Sequence, residues 1–505
     1  MNGLSLDTSL LDIEGNATGF DRINVTTADK FTLANNSTIN LTDLGGVVGG
    51  AEYVLIDYAG TPLADISGLS LASPTLGSLA VSLVHDTANT QVKLRVAAAP
   101  PPQWNVDADG SWGDGPNWTT FVEPNSATDI ANFLGKITAP RTVSLNGAKT
   151  VNQVNFDNAN SYTIAPGTGG SLTVTGSGAA ISVNNGNHVI SAPVTFTDDT
   201  AITVTGAANG LRLEGGLSIG AGKVLAKKSD GTLTINGAQT HGLGASLQVG
   251  QGKVNLVSNA GTPASAATAA GANLSIDIFN GGGASSIVLG SHQVVKEASV
   301  RYTDADLQGL DLASPPVAGG YNGLSIYAAD VDATKLAMSN AIHNAAANAG
   351  DGVYDSGLAA HPGSGIGVAV LTDAHGDKFT MVRTTRVGDL NLDGTVTISD
   401  FIDLASNFNS SGPGITWQEG DLNGDQSVSI SDFIDLASNF NASYAGSIGA
   451  ASASDLRTLA GFASSIGVDP SVIGHPQSGS PVPEPGTLGL LAIGAMSLMT
   501  RRRRK

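Results

Sequence analysis

Between residues 140 and 257, apolar and polar residues alternate in short segments that recur every ~8–12 residues, separated by Gly and Asn. The clearest segments are residues 154–156, 171–175, 201–205, 211–213, 232–236 and 253–256. A period of two puts alternate side chains on one face, so each segment predicts a half-buried strand. Strands this short and this closely spaced belong to a sandwich, a barrel or a solenoid. Turns rich in Gly and Asn and the scarcity of long connections favour a β-solenoid, parallel β-helix-like, because such a stack needs only tight corners between strands. The chain is therefore expected to be mainly β.

The pattern changes on either side. Residues 1–99 read as the tail of a similar β-strand block, truncated at its start, with strands at 20–25 and 53–58; Pro100, Pro101 and Pro102 mark its boundary with a block at 100–257. Residues 258–387 open on an Ala/Gly/Ser-rich stretch. They predict one helix from Asp332 to Asn348, stopped by Gly350, and a strand at 379–387. From residue 388 the period becomes helical twice: Phe401, Leu404, Ala405 and Phe408 share one face, as do Phe433, Leu436, Ala437 and Phe440. Residues 446–480 read as a short helix, with Leu456, Leu459, Phe462, Ala463 and Ile466 inward, followed by a linker.

Residues 388–409 and 420–441 are two copies of one segment, offset by 32 positions and identical at 18 of 22. Each begins with oxygen-bearing residues at loop positions 1, 3, 5, 9 and 12, a spacing at which a loop can wrap a hard cation. In the first copy these are Asp389, Asn391, Asp393, Thr397 and Asp400, with the carbonyl of Thr395 at position 7. In the second they are Asp421, Asn423, Asp425, Ser429 and Asp432, with the carbonyl of Ser427. A loop and one short helix cannot bury an apolar face alone, so the copies are expected to pack against each other. Position 6 is Gly394 in the first loop and Gln426 in the second. A non-Gly residue with positive φ costs about 1–2 kcal/mol, which predicts weaker calcium binding by the second loop.

The pair, over residues 388–445, resembles the dockerin type I module, a pair of EF-hand-like loop-helix calcium repeats. The resemblance implies calcium as the bound ion and a cohesin-like protein as partner. Position 12 is Asp in both copies, as is usual in dockerins, and the helices end in Ala-Ser-Asn-Phe-Asn without the basic ends of dockerins from cellulose-degrading assemblies.

Composition narrows the setting. The net charge is −19, only 13% of residues are charged, 41% are hydrophobic, and there are 65 Gly and no Cys. Acidity argues against a nucleic-acid partner and suits a calcium-rich exterior. Near the C-terminus, Pro481, Pro483, Glu484 and Pro485 precede an apolar run at 488–499 and a basic cluster at 501–505. A run of about a dozen apolar residues is short for a stable span of ~20, yet it can hold a tail in the membrane transiently. This order resembles the PEP-CTERM sorting signal, which implies export to the surface of a Gram-negative bacterium and processing by an exosortase-type enzyme. The opening residues show neither a cationic nor an apolar signal region, from which the start is expected to be internal to a longer product.

Residues 227–237 resemble the autotransporter-associated β-strand repeats of bacterial surface proteins. Trp104, Trp112, Asn117, Trp118, Pro124, Asn125, Ala131, Asn132 and Phe133 resemble the start of a repeat block in them. Such a Trp cluster either caps the end of a solenoid or stacks on sugar rings. Catalysis has no constellation to rest on. Asp157, Asp198, Asp199, Glu214, Asp230 and Asp277 are scattered, and the neighbours Asp198 and Asp199 point to opposite faces of a strand. The eight histidines lack metal-ligand spacing, and no nucleophile elbow or phosphate loop is present. The sequence thus predicts a non-catalytic exported surface or matrix protein with a calcium-binding pair. The alternative is an exported polysaccharide-active or glycan-binding β-helix protein carrying that pair as a docking appendage.

Overall fold

The computed structural model describes residues 1–474, apart from Ser78, Ala99, Ala349 and residues 262–268, 303–305, 318–320 and 445–447. It forms two compact units, Met1–Pro101 and Pro102–Lys505. Among the described residues the chain is mainly β, with four α-helices: α1 (Val331–Ala347), α2 (Ile398–Ser406), α3 (Ile430–Ser438) and α4 (Ala453–Ser465). No described helix is long and apolar enough to cross a membrane.

In the second unit the chain visits three sheets, of ten, eight and five strands, in rotation. Strands Ala148–Val151, Gln153–Asp157 and Tyr162–Ala165 are followed by Ser171–Val174, Ala180–Asn185 and Asn187–Ile190, each parallel to its counterpart one circuit earlier. Ala180 pairs with Ala201 and Thr232 with Lys253, partners 21 positions apart. These many-stranded parallel sheets are consistent with the stacked coil expected from the period-two segments.

Register aligns the inward residues into files. Val143, Ile164, Ile190, Leu213, Ile235, Leu256 and Leu289 follow one another across the ten-stranded sheet. None of them is more than 1% exposed. Strands about 4.8 Å apart bring successive members of a file into contact, and burying each aliphatic side chain contributes about 1.5–3 kcal/mol. A file of the eight-stranded sheet includes a charge. Lys227 lies between Ile202 and Val249 in register. Its ammonium donates to the carbonyls of Lys228, Ser229 and Gln251 at 2.9, 2.6 and 3.1 Å. Burial lowers its pKa to about 8.

In each unit one sheet turns from parallel to antiparallel pairing. Strand Gly323–Ile326 is parallel to Gln293–Val295 on one side and antiparallel to Lys378–Arg386 on the other, which pairs with Ser364–Thr372. In the first unit, Glu52–Tyr58 is parallel to Ile23–Val25 and antiparallel to Gln91–Val96, which pairs with Leu79–Asp86. A closing hairpin puts short-range pairing on an edge that would otherwise expose unpaired backbone groups.

Four details differ from the sequence reading. The expected strand at 20–25 is two: Gly19–Phe20 pairs with Leu10–Asn16, and Ile23–Val25 joins another sheet, with Asp21 and Arg22 connecting them. The stacked strands also run past residue 257, since Leu274–Ile278 and Ser285–Leu289 pair with Ala245–Val249 and Gly252–Leu256. In α4, Leu459 and Ala463 are buried while Leu456, expected inward, is 39% exposed. Helix α1 begins one residue earlier than expected because Asp330 caps it, its carboxylate accepting from the amide of Ala333 at 2.9 Å.

His241 is 5% exposed in the five-stranded sheet, and burial lowers its pKa to about 4. Its folded pKa lies below the unfolded value of about 6.5, so its contribution is present above pH ~6.5 and lost as pH falls toward 4. A His241→Gln variant is expected to lose less stability than the wild type over that window, by up to ~3 kcal/mol. Urea unfolding of both proteins at several pH values measures the difference; parallel pH profiles contradict it.

Candidate metal centre

The two acidic loops fold alike and share most of their hydrogen bonds. Thr397 and Ser429 cap α2 and α3, each in a capping box with the aspartate three residues on. The amide of Thr397 donates to Asp400 Oδ2 at 2.8 Å and that of Ser429 to Asp432 Oδ2 at 2.9 Å. The other oxygen of each aspartate reaches back to the loop entry, accepting from Leu390 N and from Leu422 N, both at 2.9 Å. Position 1 organises the turn. Asp389 accepts from the amides of Asp393 and Gly394, and Asp421 from those of Gly424, Asp425 and Gln426. Asn391 and Asn423 each accept from the aspartate amide two residues on, at 2.9 Å. Asp393 and Asp425 accept from the amides of Thr395 and Ser427, also at 2.9 Å.

Burial separates the carboxylates within each loop. Asp389, Asp400 and Asp432 are 0% exposed and Asp421 is 1% exposed, whereas Asp393 and Asp425 are exposed. Among the described residues none of the four buried ones is in an ion pair. Burial pushes the Asp389 carboxyl up to about 7 against the hydroxyl bond from Thr385, and repulsion from Asp400 and Asp393 adds to the rise. Asp400, Asp421 and Asp432 are raised by the same first cause.

Two buried carboxylates without a cationic partner are costly in a protein interior. The donors around them are all hard oxygens, from carboxylate, amide and hydroxyl groups, the set that suits calcium. The residues present fit that ion in their chemistry. Among the described residues no group of three or more His, Cys, Asp or Glu side chains is gathered closely enough to hold a metal by those side chains alone. Any site here is therefore a mixed one, with Asn, hydroxyl and backbone oxygens completing the aspartates.

The strain expected to weaken the second loop is present in both. Positions 4 and 6 have positive φ in each copy: Leu392 at 58° and Gly394 at 94° in the first, Gly424 at 82° and Gln426 at 64° in the second. Each loop thus has one glycine and one strained residue, in exchanged positions, and the second loop carries no extra backbone cost.

The apolar faces of α2 and α3 meet as expected. Phe401 and Phe433 lie 6.1 Å apart, and Phe462 of α4 packs within 5.1–5.2 Å of Phe401, Phe408 and Phe433. The glycine that opens each loop sits under the helix of the other copy. A Cβ on Gly388 would lie 2.9 Å from Leu436, and one on Gly420 3.2 Å from Leu404.

The pair is also built into the preceding β structure through residues the sequence reading did not single out. Trp417 donates to the carbonyl of Asp389 at 2.7 Å and packs where Gly365 and Gly367 leave room in Ser364–Thr372. Lys335 of α1 pairs with Glu419 at 2.5 Å, and Gln418 accepts from Val370 N at 2.9 Å. From Lys378–Arg386, Thr385 donates its hydroxyl to the Asp389 carboxylate, and Arg383 donates to the carbonyl of Leu392 at 3.2 Å. One signal was available: Thr416 and Glu419 have capping-box spacing beside a lone Trp in the connector.

Elsewhere the candidate residues serve local architecture. Trp104, Trp112 and Trp118 are 0% exposed and pack on Phe133 at the start of the stack, so no ring face is free for a sugar. Asp198 accepts from Gly176 N and pairs with Lys223 at 3.1 Å, and Asp199 accepts from Val224 N. Asp230 accepts from Gly206 N, Glu214 pairs with Arg212, and Asp277 with Arg301. His188 stacks on Phe156 at 4.6 Å and accepts from Tyr162 N.

Replacing exposed Gln426 by Gly is expected to stabilise the second unit by about 1 kcal/mol, the relief of φ strain less the entropy glycine adds to the unfolded chain. Thermal unfolding checks it; a lower midpoint contradicts the strain assignment.

The expected sorting tail lies outside the described residues. Residues 481–504 match the PEP-CTERM protein-sorting motif. No curated protein and no solved structure matches the chain. The dockerin and autotransporter resemblances gain no support from these comparisons. The chain is an exported, surface-targeted protein carrying a PEP-CTERM sorting motif, consistent with processing by an exosortase-type enzyme.

Proposed function

We propose that this protein is a non-catalytic cell-surface or extracellular-matrix protein whose β-solenoid body acts as a spacer or adhesive surface and whose paired loops bind calcium. The observation that carries the calcium reading is the set of four buried aspartates, two per loop, none of them in an ion pair among the described residues. Asp389, Asn391, Asp393, Thr395, Thr397 and Asp400 would hold one ion, and Asp421, Asn423, Asp425, Ser427, Ser429 and Asp432 the other. Bound calcium supplies charge compensation for buried carboxylates and cross-links a loop to the start of its helix. Asp400 and Asp432 serve both ends, since each also caps its helix. A dockerin-like role toward a cohesin-like partner is part of the same proposal. Two features support a structural role for the ions first: α2, α3 and α4 share one core, and Trp417 ties the pair to the neighbouring hairpin.

Calorimetric calcium titration of the full chain is expected to show two bound ions, with Asp389→Ala and Asp421→Ala each removing one. Thermal unfolding is expected to rise with calcium in the wild type and to rise less in each variant. Absence of binding in the folded wild type rejects the calcium reading.

A further inference from the structure

The two loops are duplicates, so whatever differs around them isolates a cause. Backbone strain does not differ, because each carries one non-Gly residue with positive φ. The flanking charge does. Arg383 lies in Lys378–Arg386, six residues before Asp389, and the equivalent position before the second loop is Ile415. The Arg383 side chain is 7% exposed. Its guanidinium carbon lies 3.4 Å from the centre of the Tyr321 ring, and one nitrogen donates to the carbonyl of Leu392 inside the first loop. Among the described residues its Nε has no hydrogen-bond partner and no carboxylate lies within ion-pair distance. A Cβ on Gly394 would sit 3.7 Å from its Nη2. The acidic groups that attract it are Asp389 and Asp393, ligand positions 1 and 5 of that loop.

We propose that Arg383 is the resident counter-charge of the first loop, and that it makes this loop the weaker of the two calcium sites. The inference rests on the calcium reading above. A buried guanidinium beside unpaired carboxylates offsets part of the cost of burying them, and holding the Leu392 carbonyl fixes the strained turn without an ion. The same charge repels a divalent cation among those carboxylates. Charges in a protein interior interact strongly and are little screened by salt, so the repulsion persists in salt solutions. Beside the second loop the neighbouring basic group is His343, whose ring lies 2.6 Å from where a Cβ on Gly424 would sit and which attracts Asp421; an imidazole lacks the permanent charge of a guanidinium. The first loop is then preformed and partly charge-compensated, and the second depends more on its ion.

The test is calcium titration of the full chain with Asp389→Ala and Asp421→Ala assigning the two binding constants. The weaker constant is expected to vanish with Asp389→Ala; if the tighter one vanishes instead, the proposal is overturned. This arm uses the native Arg383 and stands even if its variants fold poorly. Arg383→Gln, which keeps a donor for the Leu392 carbonyl, and Arg383→Met are expected to tighten the first site by on the order of tenfold or more and leave the second unchanged. Arg383→Lys keeps the charge and is expected to keep the wild-type order. Unchanged constants in folded Arg383→Gln and Arg383→Met overturn the proposal while leaving the calcium reading intact. A wild-type chain that binds no calcium removes the calcium reading itself.

Discussion

Parallel register is the constraint on which the body depends. Because Ile164 pairs with Ile190, Ile190 with Leu213 and Leu213 with Ile235, an inward residue meets its own kind one circuit away. A one-residue slip would turn a whole file outward, so the apolar pattern enforces the register and the register keeps each circuit in step. Inward polar residues are tolerated where the neighbouring corner supplies partners, as the three carbonyls do for Lys227.

An open stack has two ends, and the chain treats them differently. At the start of the second unit, three buried Trp rings and Phe133 cover the first circuit, with Trp118 and Trp112 donating to the carbonyls of Trp112 and Pro124. At the far end the antiparallel hairpin Ser364–Thr372 and Lys378–Arg386 replaces parallel pairing and offers a new surface. The acidic pair uses that surface. Trp417 enters the space left by Gly365 and Gly367, Lys335 of α1 pairs with Glu419 in the connector, and Thr385 and Arg383 reach into the first loop from the hairpin. The result is that the candidate calcium residues are held in part by the β structure, which gives any bound ion a route to influence that structure's stability.

The sequence by itself determined the elements whose cause is local. Period-two segments located the strands, helical spacing located the apolar faces of α2 and α3, and the duplication named the twelve candidate ligand residues before any coordinates. The strand at 20–25 and the border at 257 were misread because a two-residue connection between sheets, and an insertion that interrupts the stack without ending it, leave no mark on periodicity. What only the tertiary structure decided is which residues meet across large separations. Thr385 and Arg383 read as strand residues until the hairpin brings them against Asp389 and Leu392. The exchange of glycine and strained residue between positions 4 and 6 likewise needs backbone angles, because a sequence records where glycine is present and not where positive φ is required. Periodicity carries information about each residue's own environment, while pairwise contacts and the burial of charge depend on how separate segments pack.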